Sequence, residues 1–214
     1  MTGISDITVQ EFQDRINSFN SKYVNDWDSW ISGNCDAAQF GSILRKWQAC
    51  RPNRMRREQT QDLHDKPYLE DLINSSHPYL PQLQSFDIRC EASITSQACE
   101  SLGQLWNVFT ELSYHGRARG GQAGIVGISK ATLLLTQGRV GPAFDSTVRK
   151  NLGLSDIENA KQWIEALRFV SQDIEKFEKK NGTTLQNAAP LLHNKLPSGR
   201  IYDMALGPAM KIGR

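Results

Sequence analysis

The chain has 214 residues, 39% hydrophobic and 22% charged, with 25 Lys and Arg against 23 Asp and Glu. That length suits a single domain able to bury roughly 70% of the surface its unfolded form exposes. The stretches free of charge, 72–86 and 181–194, are polar and shorter than the ~20 apolar residues of a membrane span.

The N-terminal residues MTGISDITVQEF lack a charged segment followed by an apolar run, so secretion is not expected. The expected setting is the cytoplasm, with association to the nucleoid if the source is bacterial. Cys35, Cys50, Cys90 and Cys99 form no C-x-x-C pair, and His64, His77, His115 and His193 are scattered. Four reduced thiols, no metal and no cofactor follow from those spacings.

Helical periodicity dominates. Thr8 with Glu11 makes a capping box, after which Val9, Phe12, Ile16, Phe19 and Tyr23 recur every three or four residues. Asp36 can cap a helix with Phe40, Ile43, Leu44 and Trp47 on its apolar face, and a third helix is predicted over 68–74. Ser93 or Thr95 opens a longer one bearing Ala98, Leu102, Leu105, Trp106, Phe109 and Leu112. Residues 116–127 are rich in glycine and lead through a turn into the short apolar helix ISKATLLL. Pro142 then suits the first position of a helix that ends at Gly153. The clearest helix is predicted over 156–180, opened by a Ser155–Glu158 capping box and closed by Asn181-Gly182. No alternating strand pattern of useful length exists, so the expected fold is all-α, a compact multi-helix single domain over 1–214. Trp27, Trp30, Trp47, Trp106 and Trp163 fall in helical segments and read as core.

The near-neutral total hides an uneven distribution. Residues 45–57 hold six cations, Arg51, Arg54, Arg56 and Arg57 among them, and no acid. Residues 112–154 hold Arg117, Arg119, Lys130, Arg139, Arg149 and Lys150 against a single carboxylate, Asp145. A basic run is ordinarily a solvated helix end, but nine arginines among these twelve cations supply the bidentate donors that phosphate favours. Asp145 also has two readings. A carboxylate at a helix start satisfies free backbone N–H groups, and one presented into a basic groove can stabilise a developing cation or activate water.

The order Gly124-Ile125-Val126-Gly127-Ile128-Ser129-Lys130-Ala131, then Phe144-Asp145-Ser146-Thr147-Val148, resembles the end of the helix–hairpin–helix DNA glycosylase superfamily. The family's hairpin spaces its glycines as G-x-G, whereas Gly124 and Gly127 are three apart. Its lysine nucleophile follows the second glycine by two residues, and Lys130 follows Gly127 by three. The resemblance covers about 120–153 and implies a helix–hairpin–helix element within 112–154. It implies release of a damaged or modified base from double-stranded DNA by base flipping, in repair or in antiviral defence against modified foreign DNA. Asp145 would face C1′ of the flipped nucleotide, and Lys130 would either form a Schiff base or bind phosphate at the hairpin. Gly124, Gly127, Ser129, Arg117, Arg119 and Arg139, with Arg51, Arg54, Arg56 and Arg57, would hold the DNA of a monomeric enzyme. Tyr114 and His115 would stack on or hydrogen-bond to a base or pack as a lid, and the segment holding Tyr202 and Asp203 would close over the site or merely pack. The alternatives are a DNA- or RNA-binding helical module without chemistry and a protein-interaction domain.

Overall fold

The computed structural model describes residues 3–50, 54–56, 68–113 and 122–208. Among the described residues ten α-helices follow in chain order: α1 Val9–Asn17, α2 Ser21–Ser32, α3 Ala37–Lys46, α4 Leu69–Ser76, α5 Ser96–Thr110, α6 Ile125–Leu135, α7 Ser146–Leu152, α8 Ala160–Asn181, α9 Leu185–Ala188 and α10 Ser198–Leu206. The described residues contain no strand, only an isolated antiparallel bridge between Met55 and Ser113. The fold is all-α. None of the described helices is long and apolar enough to cross a membrane, and the four cysteines are free.

The start signals account for most helices. Thr8 and Glu11 close a reciprocal capping box on α1, and Asp36 accepts the Gln39 N–H to open α3. Thr95 accepts from Ala98 at the head of α5. Three local expectations need correction. The 9–23 periodicity is two helices, because the Asn20 side chain accepts the Lys22 N–H and restarts the chain as α2. Helix α8 begins at Ala160, not 156. Its cap is Asn159, which accepts from Gln162, while Asp156 is drawn to Arg149 and Ile157 packs inward outside the helix. Helix α7 begins at Ser146, since Pro142, Ala143 and Phe144 are buried ahead of it outside any helix and Asp145 supplies the cap.

One buried apolar cluster draws on all ten helices. Its axis is α6, whose residues are buried on nearly every side. Polar residues survive there by bonding inward: Ser129 Oγ donates to Ile125 O at 2.7 Å and Thr132 Oγ1 to Ile128 O at 3.0 Å. Helix α5 packs on α6 and α8, and α10 packs on α1, α7 and α9. Trp30 ties α2 to the core by donating from Nε1 to Leu134 O at 2.9 Å.

The helix–hairpin–helix element expected within 112–154 is not shown, and 114–121 lie outside the described residues. Gly124 is the N-cap of α6 and Gly127 lies in its first turn, with the Gly127 N–H donating to Gly124 O at 3.0 Å. A Cβ on Gly127 would stand 3.1 Å from both Ala49 O and Cys50 Sγ, so its bareness serves helix packing against the turn after α3.

A second glycine contact determines where α10 lies. A Cβ on Gly199 would meet Gly138 O at 2.6 Å and both Arg139 O and Gly141 N at 2.8 Å, all backbone atoms. The first turn of α10 therefore lies directly on the loop between α6 and α7. Gly199→Ala is expected to destabilise the fold by about 1–3 kcal/mol through overpacking, read as a lowered Tm.

Candidate active site

Lys130 is the one charged residue of α6, a helix buried on nearly every side. Asp145 follows it by fifteen residues at the head of α7, and the chain returns to bring the two together. Lys130 Nζ lies 3.8 Å from Asp145 Oδ2, with the lysine side chain 9% exposed and the aspartate side chain 19%. The other oxygen, Asp145 Oδ1, accepts the Thr147 and Val148 N–H groups at 2.9 and 3.0 Å. The two oxygens of the carboxylate are thus differently engaged: Oδ1 by the helix, with Oδ2 facing the lysine. Lys130 Nζ also donates to Trp47 O at 2.6 Å, beyond the end of α3.

Burial pulls Lys130 below the ordinary lysine range, against the opposing pull of Asp145, then Asp203, then Cys50. The neighbouring Cys50 thiol is pushed up to about 12 by its own burial. Lys130 therefore sits beside a neutral thiol and carboxylate groups in a poorly hydrated site, and its free-amine form is more accessible than on a surface lysine.

Helix α10 completes the recess. Asp203 Oδ1 accepts the Ala143 N–H at 2.9 Å, and Oδ2 accepts from Arg200 at 2.6 Å. Ser129 Oγ accepts the next N–H, that of Phe144, at 2.9 Å. Asp203 and Ser129 together hold the two residues before Asp145 and so aim its carboxylate. Arg200 is fully buried; it donates to Tyr23 O at 3.1 Å and lies over the rings of Trp27, Phe19 and Trp47 at 4.8, 5.1 and 5.6 Å. Burial raises Asp203 from the ordinary carboxylate range, against the lowering pull of Arg200 and the Ala143 N–H.

The walls of the recess are Phe19, Tyr23, Trp47, Ala143, Arg200 and Pro208, around Lys130, Asp145 and Asp203. Burial, then Asp145, raises the Tyr23 hydroxyl, which stays a neutral donor. The recess opens to solvent and holds about 280 Å³ of empty space, in which the room for the centre of a water is about 20 Å³, enough for about one water. Asp203→Ala is expected to cost about 3–5 kcal/mol, because it leaves the Arg200 guanidinium buried without its counterion. The measurement is a denaturant midpoint.

The other predicted site residues lie apart from this recess or are otherwise engaged. Gly124 is exposed at the head of α6, and Gly127 and Ser129 are buried. Arg139 is half-buried and donates to Thr136 O at 3.1 Å. Arg56 is buried, with Nε on Glu111 O at 2.8 Å and a terminal nitrogen 3.2 Å from the Glu111 carboxylate, which removes it from a surface that could meet phosphate. Arg54 is half-buried on the same short segment. Arg51, Arg57, Tyr114, His115, Arg117 and Arg119 lie outside the described residues. Of the tryptophans, Trp27, Trp30, Trp47 and Trp163 are buried as expected and Trp106 is half-buried. Trp47 also serves the recess. The residues that sequence reasoning missed are Phe19, Tyr23, Arg200 and the aiming role of Asp203. The available signal was an arginine and an aspartate three apart within an otherwise apolar helix, which must pair when buried. Comparison of the chain with known protein families, with curated proteins and with solved structures finds no match.

Proposed function

We propose that the protein is a DNA N-glycosylase that releases a damaged or modified base, with Lys130 and Asp145 as its reacting pair. The observation that carries this reading is the desolvated amine 3.8 Å from a carboxylate oxygen in an aromatic-walled recess open to solvent. A glycosidic bond breaks through a cationic sugar, which a fixed carboxylate stabilises. Lys130, once free of its proton, supplies an electron pair to C1′ as the bond to the base breaks. The base leaves with that bonding pair and takes up a proton. The new secondary ammonium passes a proton to the ring oxygen as the sugar opens, which gives a Schiff base from which elimination expels the 3′ phosphate. Without attack by lysine, Asp145 orients water at the same carbon. A base needs more room than one water, so its admission requires the recess to widen.

The test is incubation with duplexes carrying uracil, alkylated or oxidised purines and modified cytosines, together with phage DNA, followed by alkali. Strand breaks above the uncatalysed level are expected for at least one substrate. No release from any of them overturns the reading. It would favour a DNA- or RNA-binding module, in which the Asp145 cap and the Lys130 bond to Trp47 O are purely structural. That module is recognised by a steep fall of affinity with salt.

A further inference from the structure

Of the recess walls, Pro208 alone is neither buried nor carried on a helix. Phe19, Trp47, Ala143 and Arg200 are buried, and Tyr23 belongs to α2. Helix α10 ends at Leu206, and Gly207 then carries Pro208 to the wall as a short strap. The Gly207 N–H stays with the helix, donating to Asp203 O at 2.8 Å. Beyond that bond, the strap is held among the described residues by one other, from the Asn20 N–H to Pro208 O at 3.1 Å. Proline has no N–H, so Pro208 adds no donor of its own. Asn20 is the N-cap of α2, and its N–H has no partner within that helix. The strap also lies close against its neighbours. A Cβ on Gly207 would stand 2.5 Å from Phe19 Cε2 and 2.7 Å from Asp203 O. The backbone of Gly207 is ordinary, with φ −75° and ψ −174°, so it is this close approach that asks for glycine.

We propose that Gly207 and Pro208 form a gate, which swings about the Gly207 Cα–C bond, away from Phe19 and Asn20, to admit a ligand to Lys130 and Asp145. This rests on the reading of the recess as the place where a substrate meets Lys130. The recess has room for about one water, so anything larger needs a wall to move. Moving the other walls disrupts buried packing: Arg200, for instance, would lose Asp203 and three aromatic rings. Moving the strap breaks one backbone hydrogen bond and the contact with Phe19. The proline ring fixes its own φ, and the glycine before it has no side chain to obstruct rotation, so Pro208 turns as a unit about a single bond. A residue at the end of an element that absorbs the dihedral change is the ordinary construction of a hinge.

Two measurements test the gate, and neither uses DNA. The first is amide hydrogen exchange of the wild-type protein. The Asn20 N–H is expected to be at least about tenfold less protected than the N–H groups of Gly207 and Tyr23, because opening exposes the first and leaves the others bonded to Asp203 O and Asn20 O. An Asn20 N–H as protected as those two overturns the gate. The second is reductive alkylation of Lys130 with cyanoborohydride and benzaldehyde, whose ring is about the size of a base, with the exposed Lys22 as internal reference. Gly207→Ala, whose Cβ holds the strap off Phe19, is expected to raise labelling of Lys130 by up to about tenfold, the worth of one hydrogen bond, and to leave Lys22 unchanged. A folded Gly207→Ala protein that labels at the wild-type rate overturns the gate, and if that variant does not fold, exchange in the wild type decides. Base release with Asn20 fully protected leaves the glycosylase reading standing and removes only the gate. Both gate results as expected, with no base released from any duplex, removes the glycosylase reading and leaves the gate.

Discussion

Asp145→Asn is expected to reduce base release by about 10²–10⁴-fold while leaving the fold and duplex binding in place. The separation is possible because the two oxygens of Asp145 do different things. Oδ1 accepts from Thr147 and Val148, and an asparagine caps a helix as well as an aspartate does. Oδ2 faces Lys130, and there the substitution removes the negative charge that would meet a cationic sugar. Asp145→Ala is the instructive contrast. It removes the cap as well, at about 1 kcal/mol, and so lowers both Tm and activity. Parallel melting curves and alkali-cleavage rates for the two variants separate the roles. An Asp145→Asn protein that releases bases at the wild-type rate sinks the mechanism.

The same residue shows how far a sequence can be read. A lone carboxylate amid cations, at a helix start, is visible without coordinates, and its capping reading holds in the structure. Lys130 was equally visible, but its environment was not. A glycine pair ahead of it suggested a hairpin loop and a phosphate contact, whereas Gly127 is bare so that α6 can press on Ala49 and Cys50. That packing carries Lys130 inward. Spacing along one segment cannot reveal it, because the partner surface comes from the turn after α3, some eighty residues earlier in the chain. The recess walls were hidden for the same reason. Phe19 and Tyr23 continue a core periodicity, and nothing local distinguishes a ring that faces a cavity from one that faces the core.

The charge argument is narrowed by the structure. Of the cations predicted to meet phosphate, Arg56 is held by Glu111, and elsewhere in the basic stretches Lys46 is held by Asp26 and Arg149 by Asp156. Arginine-rich sequence therefore overstated the free positive surface among the described residues, because acids distant in sequence fold back onto it. Arg200, outside those stretches, is likewise held, by Asp203.

Lys130→Met is expected to keep the fold and to eliminate covalent trapping. Methionine follows the unbranched lysine stem, and replacing a buried cation with an apolar group of similar length is often neutral or stabilising. Against this, Trp47 O loses its donor, worth about 1 kcal/mol. With the wild-type protein, borohydride added during turnover is expected to capture a Schiff base as a protein–DNA adduct, and Lys130→Met should give none. A wild type that releases bases without any adduct assigns the chemistry to water and leaves Lys130 as the partner of Asp145. The pH dependence gives an independent check on burial. Lys130 has a lowered pKa in the folded protein and an ordinary one of 10.5 when unfolded, so the unfolded chain binds more protons between those two values. Wild-type stability relative to Lys130→Met must therefore rise with pH from the lowered value up to 10.5. Below that window the burial penalty on the charged amine is present in full, and there Lys130→Met compares best with wild type. Trapping efficiency should rise across the same interval, because attack requires the free amine. Tm differences that do not change with pH would mean that Lys130 titrates as an ordinary surface lysine, and the desolvated nucleophile would have to be abandoned.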